Sequence, residues 1–222
     1  MESAHGSEEY AFIADLYDHV VPYRDRPDVA FFVEAAKELR GPVLEVGCGT
    51  GRVLIPTARE GIEIVGLDSS LSMLDVCRKR LSHEMDEVQA RVQLVEGDMR
   101  DFELGQAFRL VTIPFRPFQH LTTVSDQLSC LGSIHRHLVE GGCLILDIFN
   151  PSLGSLTKDD IGTEITEEPE FTTPDGRRVV RRHRILSRDY FNQINHVELI
   201  YDVIHPDGLK TGGCQHLDGL AQ

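Results

Sequence analysis

The stretch Val43-Leu44-Glu45-Val46-Gly47-Cys48-Gly49-Thr50-Gly51-Arg52 constrains this chain more than any other. Val43, Leu44 and Val46 make a short apolar run of the kind that a parallel strand, covered on both faces, requires. The glycines after it let the backbone turn tightly and approach a ligand with no Cβ in the way. Thr50 is placed to cap a following helix. The first N–H groups of that helix lack partners within it and face the same ligand. A second apolar stretch, Ile62-Glu63-Ile64-Val65-Gly66-Leu67-Asp68, lies about twenty residues on and ends in an acid that can accept hydrogen bonds from a ribose diol. Glycine turn and distal acid together point to a nucleoside-containing cofactor on a doubly wound α/β sheet. The dinucleotide fingerprint asks for Gly or Ala three positions after its second glycine. Counted from Gly49, that position is Arg52, which argues against an NAD-dependent oxidoreductase.

The 222 residues suffice for one α/β domain with a small appended sheet. A net charge of −14 disfavours a nucleic-acid ligand, because phosphate contacts need clustered Lys and Arg. The apolar runs are far short of a membrane span. Met1 to Glu9 is polar and acidic, unlike a signal peptide. Five scattered cysteines with no Cys-x-x-Cys pair indicate neither a disulfide framework nor a metal site, so a cytoplasmic protein is the expectation.

Along the chain, Phe12, Ile13, Leu16, Tyr17 and Val20 recur at helical spacing within Tyr10 to Tyr23. Pro27-Asp28 opens a helix to about Arg40, with Phe31, Phe32, Ala35, Ala36 and Leu39 as its apolar face. A further helix is expected from Gly51 to about Glu60, with Pro56 inside it and Gly61 closing it. Ser69-Ser70 can cap one to about Glu84, burying Leu71, Met73, Leu74, Cys77 and Leu81. Arg91 to Glu96 and Phe108 to Ile113 read as third and fourth strands. The turn Gly97-Asp98-Met99-Arg100 follows the third, and the loop Pro114 to Leu121 follows the fourth. A helix from Thr122 or Thr123 to about Leu138 and a fifth strand, Cys143 to Phe149, complete the pattern. In open α/β sheets the crevice lies beyond the carboxyl ends of the strands.

The spacing Glu45-x-Gly47-x-Gly49-x-Gly51 resembles the first motif of the class I S-adenosylmethionine-dependent methyltransferases, and Asp68 matches the acid of their second. Glu96-Gly97-Asp98-Met99 matches the third, and the order of elements from 43 to 150 is similar throughout. The resemblance implies S-adenosyl-L-methionine as cofactor, held by Glu45, Gly47, Cys48, Gly49, Gly51 and Asp68. It places Asp98 on the adenine amino group, Met99 on the ring, Ser69 and Met73 beside the adenosine, and the Pro114 loop beside the methyl group. A carboxylate accepting from an exocyclic amine and a thioether on a flat ring are chemically apt. Read without the resemblance, Asp98 is a turn cap and Met73 a core residue. The segment 1–26 is either a helix packed on the core or, by resemblance, a lid. The core is 27–151.

From Gly162 the helical period disappears. Glu164 to Thr173, Arg177 to Leu186 and the alternation Val197, Leu199, Tyr201, Val203 read as an antiparallel meander over 162–205. The basic run Arg177, Arg178, Arg181, Arg182, Arg184, Arg188 is read as paired with Glu164, Glu167, Glu168 and Glu170 rather than as an anion site. Residues 206–222 read as a polar tail, so the family's usual sixth and seventh strands have no counterpart. The expected fold is therefore a Rossmann-like, mostly parallel sheet with a β meander after strand five. An uncovered fifth strand would invite a homodimer. His120 and Tyr17 are the candidate general bases, His120 alternatively a residue that packs its loop. The acidic charge and the loop Ile113-Pro114-Phe115-Arg116, which lacks the Asn/Asp-Pro-Pro-aromatic signature of nucleic-acid amino methyltransferases, favour a small-molecule acceptor. The layout resembles enzymes that N-methylate glycine or amino sugars. A non-catalytic cofactor-binding or assembly module is the other class left open.

Overall fold

The computed structural model describes residues 13–20, 26–166 and 169–220. The chain divides into two compact units. The first carries a five-stranded parallel sheet and the second an antiparallel one.

In the first unit, α1 (Asp28–Leu39) starts after Pro27, carries an acid in its first turn, and ends at Arg40 in the left-handed region. It buries Phe32, Val33 and Ala36. Phe31, expected on that face, is 60% exposed, because the stripe centres one position further round the helix. β1 (Val43–Val46) is buried at every position and lies between two parallel neighbours. α2 (Leu54–Arg59) begins three residues later than expected, at an N-cap Val53 with no side-chain cap bond. Thr50 is therefore not the cap. It is buried, and the Arg80 guanidinium donates to its carbonyl at 3.0 Å and to its hydroxyl at 3.3 Å. The Ile55 N–H donates to the Gly51 carbonyl and the Thr57 N–H to that of Val53, each at 3.1 Å, so Pro56 removes the helical bond between them. Gly61 closes the helix at φ 85°.

β2 (Ile64–Asp68) leads to α3 (Leu71–Leu81), capped as expected by the Ser70 hydroxyl accepting from the Met73 N–H. α3 buries Met73, Leu74 and Cys77, whereas Leu71 is exposed. The short α4 (Asp86–Gln89), β3 (Val92–Glu96) and β4 (Phe108–Ile113) follow. Thr123 caps α5 (Val124–His137), its hydroxyl accepting from the Asp126 N–H at 3.1 Å. β5 (Leu138–Leu146) begins earlier than Cys143 because Leu138 already pairs with Phe108; a register shift then absorbs Gly141 at φ 71°. It stops at Leu146, not Phe149. The sheet order is 3-2-1-4-5, the doubly wound topology expected, with a core of Val43, Leu54, Ile55, Ile64, Leu74, Cys77 and Leu110.

The second unit holds α6 (Leu153–Leu156), β6 (Glu164–Ile165), β7 (Phe171–Thr172), β8 (Arg178–Asp189), β9 (Ile194–Ile204) and β10 (Lys210–Leu220). The single strand expected over Glu164 to Thr173 is two short ones, both paired to β8. Leu199, Tyr201 and Val203 are buried, as their alternation requires. Five of the six arginines form ion pairs, Arg177 with Asp175, Arg178 with Glu170, Arg182 with Glu164 and Asp202, Arg184 with Glu164 and Glu198, and Arg188 with Asp160, while Arg181 lies over the Tyr201 ring. Glu167 and Glu168 lie outside the described residues. The segment expected to be a tail is, over its described residues 206–220, a turn and a strand. Pro206-Asp207-Gly208 makes a tight turn, and β10 pairs along the whole of β9. Its glycines and mixed polar residues hid a strand that only pairing with β9 stabilises. No described helix is long and apolar enough to cross a membrane.

Candidate functional site

The ends of β1 and β2 form one hydrogen-bonded turn. The N–H groups of Gly47 and Cys48 donate to the Leu67 carbonyl at 2.7 and 3.1 Å, tying the glycine turn to the neighbouring strand. The Gly49 N–H donates to Asp68 Oδ2 at 2.7 Å and the Ser70 N–H to Oδ1 at 2.8 Å. Gly47, Gly49 and Gly51 have φ of 71°, 53° and 81°, backbone that glycine adopts most readily. Their surroundings differ. A Cβ on Gly47 would lie 2.6 Å from Pro117 Cγ, and one on Gly51 2.6 Å from Cys77 Sγ. One on Gly49 would meet nothing within 4 Å. Two glycines are needed for packing; the middle one faces open space.

Two carboxyls define the electrostatics. Burial pushes the Asp68 carboxyl up, opposed by the N–H groups of Ser70, Gly49 and Ser69. A carboxylate offers about four lone-pair positions, so acceptor capacity remains for a ligand. Glu45, on the wholly buried β1, has an Oε2 with no hydrogen-bond partner. Burial raises its pKa to about 8, with Asp68 and Asp28 adding to the shift and Arg52 opposing it. An orphaned buried carboxyl beside an open glycine turn fits a ligand that brings donors of its own.

The remaining expected residues separate clearly. Cys48 reaches the site only through its backbone. Its Sγ packs over Gly66, and burial, with Asp68 adding to it, holds the thiol well above its usual range, so it is no nucleophile. Met73 is 3% exposed and belongs to the core, and Ser69 is exposed. Asp98 accepts from the Arg100 N–H at 2.8 Å and from its guanidinium at 2.5 to 3.0 Å, which holds the carboxyl below its ordinary value. It acts as a turn cap in this structure. Met99 is half-buried and Pro114 buried.

Tyr17 opens a short 3-10 helix, Tyr17–His19, and His120 ends another, Pro117–His120. Both residues group with the second unit. His120 Nδ1 lies 3.2 Å from the Asp218 carbonyl. A carbonyl only accepts, so Nδ1 carries the proton and Nε2 is the basic nitrogen. Tyr10 and Tyr23 lie outside the described residues. No group of three or more described His, Cys, Asp or Glu residues is arranged for a metal ion.

Sequence reasoning missed one constellation. Arg52 clasps Asp28 at 2.6 and 2.9 Å, and Arg26 bridges Asp28 and Asp147 at 3.0 and 2.9 Å. Burial raises the Asp28 carboxyl, but Arg52 and Arg26 outweigh it and leave it below its usual range. The guanidiniums of Arg26, Arg52 and Arg116 all lie over the Phe115 ring, 4.7 to 5.4 Å from its centre. Phe115 and Arg116 both have positive φ, 67° and 72°, and the Arg116 N–H donates to Asp147 Oδ1 at 2.9 Å. Such strain is held only where its surroundings over-determine it. Asp147 at the end of β5 was the one visible signal, an acid closing an apolar strand.

Residues 43–142 match the family described as "Methyltransferase domain". The dTDP-3-amino-3,4,6-trideoxy-alpha-D-glucopyranose N,N-dimethyltransferase of Streptomyces venezuelae is 31% identical over 140 residues, 60% of this chain and 56% of that protein. The chain spans about half the length of the curated relatives it matches. Among solved structures, the CcbJ methyltransferase of Streptomyces caelestis is 25% identical, with a TM-score of 0.67 over 94% of this chain and 80% of that one. The glycopeptide N-methyltransferase MtfA, solved with S-adenosyl-L-methionine, is 28% identical, with a TM-score of 0.55 over 87% and 76%.

Proposed function

We propose that this protein transfers a methyl group from S-adenosyl-L-methionine to an amine nitrogen of a small molecule. The observation that carries the reading is the Gly49–Asp68 pair: an open left-handed glycine whose N–H orients an acid with acceptor capacity to spare. Asp68 would accept from the ribose hydroxyls, and the backbone at Gly49 would let the cofactor approach. Glu45 would give its orphaned Oε2 to the cofactor's amino group, whose positive charge would lower the pKa of the carboxyl. Asp98 would accept from the adenine amino group, with Arg100 fixing its orientation, and Met99 would cover the ring. Pro114 would border the reacting end. The cofactor supplies an already electrophilic methyl group on a sulfonium. The protein's task is then to align a nucleophile and exclude water, and alignment alone can supply roughly 7–11 kcal/mol.

The amine acceptor is supported by the names of the relatives, among them an amino-sugar N,N-dimethyltransferase and a glycopeptide N-methyltransferase. An amine needs one proton removed before or during attack. His120, whose Nε2 is the basic nitrogen, and Tyr17 are the proposed acceptors of that proton. A cytoplasmic location and a lid role for the N-terminal segment belong to the same reading.

Calorimetric titration with S-adenosylhomocysteine and, separately, NAD tests it. Micromolar binding of the first alone is expected, followed by methyl transfer to a member of an amine panel. Binding of NAD instead would overturn the reading. Tight S-adenosylhomocysteine binding with no turnover on any amine, alcohol or thiol would support a non-catalytic module.

A further inference from the structure

Among the described residues, the non-glycine positions with positive φ are Arg40, Phe115, Arg116 and Gln193. Arg40 ends α1 and Gln193 lies in the hairpin between β8 and β9, places where left-handed backbone is routine. Phe115 and Arg116 have no such setting. They stand in succession at φ 67° and 72°, between the end of β4 and the 3-10 helix Pro117–His120. Arg116 also precedes Pro117, whose ring favours extended backbone at the residue before it. A turn of this kind relaxes unless other groups hold it.

The Arg116 N–H donates to Asp147 Oδ1 at 2.9 Å. The bond is to the main chain, so it fixes the backbone at position 116 whatever side chain stands there. Asp147 Oδ2 accepts from Arg26 at 2.9 Å, Arg26 also donates to Asp28, and Asp28 takes both ends of the Arg52 guanidinium. Arg52 directly follows Gly51, so this chain of charges runs from the turn after β4 to the glycine turn. The held backbone also sets Pro117 against the glycine turn, where a Cβ on Gly47 would lie 2.6 Å from Pro117 Cγ. Both ends lie just past the carboxyl termini of β4 and β5, the side of an open α/β sheet where ligands bind. At 15–28% exposed, the ionised side chains of Arg26, Asp28, Arg52 and Asp147 are largely desolvated, a costly way to join two loops for stability alone.

We propose that Asp147 is a positioning residue: through the Arg116 N–H it holds the Phe115-Arg116-Pro117 turn against the glycine turn, so that the wall at the methyl end of the cofactor is formed before any ligand arrives. The inference rests on the methyl-transfer reading, in which Pro114 borders the reacting end. Asp147 acts on the alignment of the acceptor through the turn, not by contact.

Amide hydrogen exchange in the ligand-free full chain gives the first reading. The Arg116 N–H should be protected in wild type and exchange at least about tenfold faster in Asp147→Ala. Equal exchange overturns the inference. The second reading is kinetic. Asp147→Ala should lower kcat on an accepted amine by roughly tenfold or more, with the amine KM and the S-adenosylhomocysteine Kd within about threefold of wild type. A merely structural residue would lower the melting temperature and leave kcat unchanged where the variant is folded; that result overturns the inference, as does a Kd that rises in step with the fall in kcat. Asp147→Leu, which keeps the bulk but offers no acceptor, should behave as Asp147→Ala and decides the matter where the alanine variant does not fold. Wild type that binds no S-adenosylhomocysteine, or methylates no amine, fails the methyl-transfer reading, and the positioning role falls with it. The exchange measurement, made without ligand, still decides whether Asp147 holds the turn.

Discussion

Asp68 and Glu45 carry opposite kinds of information at the scale of single residues. Asp68 is organised by backbone N–H groups, so its loss removes ligand contacts and unties the glycine turn. Asp68→Ala is expected to weaken S-adenosylhomocysteine binding at least about tenfold, the equivalent of ~1.4 kcal/mol. Calorimetry on a folded variant checks this; unchanged affinity removes the ribose role. Glu45 is a buried acid whose pKa rises from 4.5 to about 8. The folded state therefore holds a proton that the unfolded state releases across that interval. The stability associated with the proton is complete below the unfolded value and is lost as pH rises toward about 8. Melting temperature of the ligand-free protein should fall across this window in wild type more than in Glu45→Gln. Parallel curves for the two would contradict the assignment. For His120→Ala, turnover on an accepted amine should drop by roughly a hundredfold with cofactor affinity intact. Full activity would leave His120 as a residue that only caps the β10 end through Asp218.

The glycine turn shows how one element divides its work among neighbouring positions. Gly49→Ala adds a methyl group where nothing lies within 4 Å, at a φ that costs an alanine about 1 kcal/mol. Gly51→Ala adds one 2.6 Å from a buried sulfur at φ 81°. The first variant should melt near the wild-type temperature and lose S-adenosylhomocysteine binding. The second should lose several degrees of stability. The reverse pattern would mean that Gly51, not Gly49, faces the ligand. The element scale is also where the sequence was least legible. Helix caps at Ser70 and Thr123 were readable because a hydroxyl and a nearby N–H are a local chemical fit. Thr50 had the same local credentials, yet Arg80, thirty residues on, engages it instead. The Phe115-Arg116 backbone was invisible for the same reason: no local rule puts two non-glycine residues at positive φ. The Asp147 carboxylate that holds Arg116 follows the end of β5, thirty-one residues on.

At the scale of the whole molecule, ligand binding to the folded state alone should appear as thermal stabilisation. S-adenosylhomocysteine at a hundredfold over its Kd should add about 2.7 kcal/mol, roughly 5–10 °C in melting temperature for a chain of this size. NAD at equal concentration should leave the melt unchanged; a shift with NAD would reopen the dinucleotide reading. The parallel sheet in order 3-2-1-4-5, its glycine turn and the acid at Asp68 were all determined by sequence. Apolar runs, turn residues and their order are local properties, and a right-handed crossover rule leaves few ways to assemble them. The strand character of Lys210–Leu220 came from elsewhere. Its composition is weak for a strand, and pairing along β9 supplies what propensity does not. The cluster of Arg26, Arg52 and Arg116 on one aromatic ring likewise joins residues 26, 52, 115, 116 and 147. Contacts of that sequence separation have no local signal. They exist only once the strands have brought their carboxyl ends together, and so the tertiary structure alone decided them.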